Sequence, residues 1–196
     1  MAGASVRGVQ RCAWATSAPE YVAYHDEEWG VPLRGDDALF ERLCLEAFQS
    51  GLSWITILRK RPAFRAAFAG FAIDAVAMFD DEDRARLLAD SGIVRNRAKI
   101  DAAIGNARAA QQLTEGLSEL LWSFAPPGPR PRPATLADVP ATSPESVAMA
   151  RELKRRGFAF VGPTTAYALM QATGMVADHV AGCFRASPPE GDAPSP

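Results

Sequence analysis

The chain is short of the side chains on which most metal and covalent chemistry is built. Its 196 residues hold two histidines, His25 and His179, and three cysteines, Cys12, Cys44 and Cys183. It has three lysines, Lys60, Lys99 and Lys154. No run of 18 apolar residues occurs, against the roughly 20 that a spanning helix needs, so no helical membrane protein is expected. The opening "MAGASVRGVQRC" has no apolar core of a secretory leader. A cytoplasmic chain is therefore expected, with its thiols reduced and free for a metal. A basic excess is missing too. The formal net charge is −2, so a nucleic-acid partner would have to be met by local patches. No alternating run reads as a strand, and no segment repeats.

What is present reads as an all-α globular chain. Hydrophobic residues make up 48% and charged residues 22%, which suffices for a sizeable core. One unit is expected over residues 11–184, with a loose leader at 1–10 and a disordered tail at 185–196. Ser17, Pro19 and Glu20 read as a capping pattern for a helix that stops at Gly30. A second helix begins at Asp36 or Asp37 and ends at Gly51, with Leu39, Phe40, Leu43, Cys44 and Ala47 at helical spacing. Ser53 caps a third through Arg59. Asp74, Asp80 and Asp81 read as caps of short helices. Residues 92–113 read as a tight turn and a long helix, and a short helix covers about 118–124. "APPGPRPRPA" is a surface connection. Ser143 and Pro144 open a helix that ends at Gly157, and Pro163 starts the next.

His179 and Cys183 are four residues apart, one turn on a common face if "ADHVAGC" is helical. Cys12 and His25 would complete two thiolates and two imidazoles, a set that suits tetrahedral zinc. Four protein ligands close the shell, so such an ion would be structural. On spacing alone a second reading stands beside it, that these residues serve only in packing.

"RRGFAFVGPTTAYALM" has the pattern of a helix, a tight turn and a helix that meets a phosphate. Glycine allows close backbone approach, and free N–H groups point outward at the new helix's start. Lys154, Arg155 and Arg156 lie upstream. An ordinary pair of antiparallel helices reads equally well from this stretch alone. Arg95, Arg97 and Lys99 in "GIVRNRAKI" form a second basic cluster, either a solvated face or part of a phosphate surface. Trp14, Tyr21, Tyr24, Trp29 and Trp54 surround Glu46 in sequence. Aromatics are usually core, yet a buried carboxylate among them needs a partner. A cavity of aromatic faces with one carboxylate would suit a flat, cationic heterocycle.

Together "RCAW", "YxxYHDxEWG", "LCLExxQSGLSW", "GIVRNRAKI", "IGNARA", "KRRGFxFVGPTTAYALMQATG" and "DHVAGC" resemble the 3-methyladenine DNA glycosylase I family over about residues 11–184. The resemblance implies a helix–hairpin–helix glycosylase fold, with two helical lobes around a DNA-binding cleft. It implies a structural Zn2+ on Cys12, His25, His179 and Cys183, joining the N- and C-terminal segments. It places the base pocket at Tyr21, Tyr24 and Trp54 with Trp14 nearby, and the catalytic carboxylate at Glu46. Gly51 and Leu52 would fill the gap left by a flipped nucleotide. The turn at Gly162 and Thr164 would hold DNA phosphate, together with Arg95, Arg97 and Lys99. Phe48 departs from the pattern, standing where a polar residue is expected at the pocket edge. Asp178 is read as a residue that supports the site from behind or as a structural one.

The implied activity is hydrolysis of 3-methyladenine from alkylated double-stranded DNA by base flipping. A lyase would need an amine nucleophile. No lysine falls just after the second hairpin turn, where related enzymes carry theirs, so a monofunctional enzyme is expected, acting as a monomer. Two other readings stand beside this one. One is a zinc-stapled DNA-binding protein without catalysis, and the other is a related glycosylase for another alkylpurine.

Overall fold

In helix α2, Asp36–Gln49, every residue from Arg42 to Phe48 is buried. A helix buried on all sides must sit at the centre of the molecule. The computed structural model describes residues 9–128 and 130–186. Among these, nine α-helices and four short 3-10 turns form the fold, with no strand. None of the helices is long and apolar enough to cross a membrane.

Around α2 lie α1 (Pro19–Glu27), α3 (Trp54–Ala67), α4 (Ile73–Ala77), α5 (Asp81–Ala89), α6 (Arg97–Gln111), α7 (Leu117–Trp122), α8 (Pro144–Arg155) and α9 (Pro163–Ala172). α2 packs on α3, α6, α7 and α9, α4 packs on α6, and α8 packs on α9. Behind α2 and α3 is a phenylalanine core of Phe40, Phe48, Phe64, Phe68 and Phe71, with the Phe68 and Phe71 rings stacked 5.3 Å apart. Two aspartates at the start of α2 order its neighbours: Asp36 Oδ1 accepts from Ser118 N at 2.8 Å, and Asp37 Oδ1 accepts from Ile73 N at 2.9 Å. Each thereby satisfies an N–H that a helix start leaves free.

Several helix ends differ from expectation. Ser17 does not cap α1. Its hydroxyl donates to Trp14 O at 2.8 Å, closing the preceding 3-10 turn, and Ala18 occupies the cap position. α3 does not stop near Arg59 but runs through Pro62 to Ala67. An internal proline costs about 3 kcal/mol. Burial of Ile57, Leu58, Phe64 and Ala67 along one face offsets that at roughly 2 kcal/mol for each large side chain. Asp74 lies inside α4, which starts from Ala72, and Asp80 rather than Asp81 caps α5, accepting from Glu82 N and Asp83 N. Ser143 caps α8 as expected. The expected leader and tail fall largely outside the described residues. At their edges Phe184 N donates to Gln10 O at 2.9 Å, and Phe184–Ala186 form a 3-10 turn.

Candidate functional site

The 3-10 turn Ala13–Thr16, α1, the end of α2, the start of α3, and α9 with the loop after it enclose a cavity of about 530 Å³. That is a volume suited to a small-molecule ligand. Its walls include Trp14, Tyr21, Tyr24, Trp54 and Glu46, so the residues expected to form a pocket do come together. The Tyr24 and Trp54 rings are 5.5 Å apart, and Trp14 meets Tyr21 edge-on at 5.7 Å. Tyr21 is fixed from α3, its hydroxyl accepting from Ile55 N at 2.9 Å.

Glu46 is 5% exposed, opens onto the cavity, and has no hydrogen-bond partner among the described residues. Burial pushes its carboxyl up to about 7, and Arg42 one turn earlier pulls the other way. Near neutral pH it is poised between its two forms. The Trp54 Nε1 is also buried without a partner among the described residues.

Phe48 is not at the pocket edge. It is buried against Phe64 at 4.7 Å, in the core. Gln49 lines the cavity instead. The helical phase explains this: Gln49 is three residues from Glu46 and shares its face, whereas Phe48, two residues on, points away. Sequence reasoning also missed Gln171 and Ala168 of α9, together with Leu136 and Val139 beyond the proline-rich connector. Asp178 lines the cavity too, its Oδ2 accepting from Tyr167 Oη at 2.7 Å and Gln171 Nε2 at 2.8 Å. The i, i+3 spacing from Glu46 would have found Gln49. The others come from distant segments and left no local signal.

Beside the pocket wall the ligand atoms of Cys12, His25, His179 and Cys183 lie within 4.8 Å of one another, all four residues buried. Residues 177–183 are not helical, so the condition under which His179 and Cys183 would share a helix face is not met. They form a loop with a turn in which Cys183 N donates to Val180 O, and Ala181 N donates to Pro133 O of the connector at 2.8 Å. The loop, not a helix face, brings His179 Nδ1 and Cys183 Sγ to 3.7 Å. The outward ring nitrogens have partners: His25 Nδ1 meets Asp26 Oδ1 at 2.8 Å, and His179 Nε2 meets Trp29 O at 3.1 Å. Those contacts turn His25 Nε2 and His179 Nδ1 inward as lone pairs. Burial, and then His25, pull the His179 imidazole down to about 4, so it is neutral. Burial pushes the Cys12 thiol up to about 11. Two inward nitrogens and two buried sulfurs, free of disulfide, fit a tetrahedral soft-metal site. Gly30 is required here. Its φ is +78°, and an added Cβ would lie 2.9 Å from His179 Nε2.

The residues expected to meet DNA occupy several surfaces. Gly51 (φ +80°) and Leu52 form an exposed loop beside the cavity's Gln49, with Leu52 41% exposed. Gly162 and Thr164 are exposed at the start of α9, and Arg95 and Arg97 are exposed before and within α6. Lys99 is not exposed. Its ammonium is buried and donates to Phe48 O at 2.9 Å and Ser50 O at 2.5 Å, and burial lowers its pKa. It holds the end of α2 rather than facing solvent. Arg155 and Arg156 are engaged by Glu152, and Arg156 also by Glu115. The turn before α9 is clamped from α6: Asn106 Nδ2 donates to Ala159 O at 3.1 Å, and Asn106 Oδ1 accepts from Ala159 N at 2.7 Å.

Residues 14–186 match the model of the methyladenine glycosylase family. DNA-3-methyladenine glycosylase 1 of Escherichia coli (strain K12) is 48% identical over 179 residues, covering 89% of this chain and 96% of the relative. A crystal structure of 3-methyladenine DNA glycosylase I, 48% identical, superposes with a TM-score of 0.85 over 89% of this chain and 98% of its own. The Staphylococcus aureus 3-methyladenine DNA glycosylase I, whose structure concerns 3-methyladenine recognition, is 33% identical. It also gives a TM-score of 0.85, over 91% and 97% of the two chains.

Proposed function

The chain belongs to the methyladenine glycosylase family, and we propose that its cavity captures 3-methyladenine flipped out of alkylated double-stranded DNA and releases it by hydrolysis. The enzyme is a DNA repair glycosylase. The observation that carries the reading at the site is Glu46, a carboxylate with no protein partner among the described residues, set among aromatic faces in a cavity of about 530 Å³.

Methylation makes the base cationic. The C1′–N9 bond then breaks with its electron pair passing to the base, which leaves neutral and needs no proton. Water adds at C1′ and loses a proton, leaving an abasic site. Trp14, Tyr21, Tyr24 and Trp54 offer faces that attract a cation, and Glu46 offers the complementary charge. Unmodified adenine brings no charge to offset the cost of a buried carboxylate. Extrusion is cheapest for a damaged pair. Gly51 and Leu52 fill the vacated stack, while Gly162 and Thr164 at the start of α9, with Arg95 and Arg97, hold phosphates in a helix–hairpin–helix cleft between two lobes. Cleavage stops at the abasic site. Lys60 is tied to Ser91 O and Gly92 O, Lys99 to the end of α2, and no lysine lines the cavity. Cys12, His25, His179 and Cys183 would hold a Zn2+ whose ligand shell they fill. When bound it supplies a cross-link and no open coordination position. One chain is the working unit.

The test is incubation of methylated duplex DNA with the wild type and with Glu46→Gln, followed by identification of the released base. Free 3-methyladenine is expected from the wild type, with release by the variant slower by roughly 10²-fold, the scale of losing one electrostatic stabiliser. Absence of free base would overturn the reading, and an equally fast variant would remove Glu46 from it.

A further inference from the structure

Arg42 lies behind the pocket wall, and none of the chemistry above uses it. It precedes Glu46 by one turn of α2 and is 8% exposed. Its Nη2 donates to Glu28 Oε2 at 3.2 Å, and its Nη1 donates to the Tyr24 hydroxyl at 3.1 Å. The guanidinium carbon is 5.3 Å from the Tyr24 ring centre and 6.0 Å from that of Trp54. Glu28, however, is already gripped by both nitrogens of Arg61, at 2.5 and 2.7 Å. Glu41, the other carboxylate that acts on Arg61, is taken by Arg65, so three guanidinium groups share two carboxylates and one positive charge is left over, with Arg42 in the most poorly hydrated place of the three. Such a charge is costly unless compensated. An ionised Glu46 compensates it. Arginine is also purely a donor. The Tyr24 oxygen accepts from it, and the phenolic proton is left to point elsewhere.

We propose that Arg42 is a positioning residue of the base pocket, its charge holding Glu46 as the carboxylate that a cationic base requires and its Nη1 fixing the Tyr24 hydroxyl. It does not line the cavity, so the bound base meets Glu46 directly, while the Tyr24 and Trp54 rings lie against Arg42. Other groups that face Glu46 do not replace it. Tyr21 and Tyr24 come from α1, and burial keeps the Tyr24 phenol protonated. Asp178 is across the cavity, engaged by Tyr167 and Gln171. Lys99 of α6 is committed to the Phe48 and Ser50 carbonyls. Burial alone drives Glu46 toward its neutral form, and Arg42 is the charge that opposes it. The role in catalysis rests on the glycosylase reading, but the hold on Glu46 is measurable without it.

The test follows the Glu46 carboxyl 13C signal through a pH titration of the full chain without DNA, in the wild type, Arg42→Met and Arg42→Lys. The midpoint is expected to rise by about one pH unit in Arg42→Met, and to stay near the wild type in Arg42→Lys, which keeps the charge. The acid limb of 3-methyladenine release from methylated duplex should follow. Arg42→Met would be up to tenfold slower below neutrality and approach the wild type in alkali. Should Arg42→Met not fold, Glu28→Gln gives the converse: with its carboxylate gone, the Glu46 midpoint should fall. An unmoved midpoint, with release reduced equally at all pH values, would overturn the proposal. A midpoint that moves in a protein releasing no base would uphold the hold on Glu46 and overturn the activity reading instead.

Discussion

At the scale of one residue, Glu46 sets binding against stability. Its carboxyl lies at 4.5 when free and is pushed up to about 7 by burial. Below about 4.5 folded and unfolded chains both hold the proton, and the group has no effect on stability. As pH rises the unfolded chain ionises first, so folding is increasingly penalised until the buried group ionises near 7. Above that the penalty is complete, roughly 3 kcal/mol for a gap of this size. Glu46→Gln removes the ionisation. The variant should therefore melt with the wild type at pH 4 and several degrees above it at pH 8, while excising poorly. Thermal melts across that range check this, and a difference independent of pH would show that no buried charge is being relieved.

At the scale of an element, the end of α2 is held from outside. The last carbonyls of a helix lack partners within it, and Lys99 Nζ supplies one to Phe48 O and another to Ser50 O. Lys99→Met leaves both without it, an expected loss of about 1–3 kcal/mol. Amide exchange should accelerate at Gly51 and Leu52, while the salt dependence of DNA binding keeps its slope, because no phosphate contact is removed. A flatter slope with unchanged exchange would restore Lys99 to the DNA surface. This is also the scale at which the sequence was most and least readable. Apolar spacing placed α2, Ser143 and Gly157 marked the two ends of α8, and Pro163 the start of α9, because caps and breakers act locally. α3 ran past Pro62 because tertiary burial outweighed a local penalty. The side-chain ring of Phe48 was misplaced where counting by threes from Glu46 would have put Gln49 on the cavity. His179 and Cys183 of "ADHVAGC" came together through a loop, since the Pro133 carbonyl that shapes it is far away in sequence and invisible to periodicity.

At the scale of the molecule, the first and last described segments meet at the Cys12, His25, His179 and Cys183 cluster. Cys12 and Cys183 are 171 positions apart (183 − 12), and constraining a loop of that length in the unfolded chain is worth on the order of 5 kcal/mol. The other ties nearby are smaller: Phe184 N to Gln10 O, and the Arg11–Asp26 pair. A metal on the four donors would therefore carry much of the closure. It would also stiffen the pocket, because Trp14 packs on His25 at 5.3 Å and lines the cavity. Trp29, another cavity residue, packs on His179 at 4.6 Å. Elemental analysis of protein purified without chelator should find one zinc per chain. Stripping it should lower Tm markedly and weaken capture of free 3-methyladenine, and added zinc should restore both. Cys12→Ser and Cys183→Ser should each cause most of the loss, and the double variant little more, since a clasp opens once. Losses that simply add, or a Tm indifferent to the chelator, would mean that the four side chains are packed together without an ion to join them.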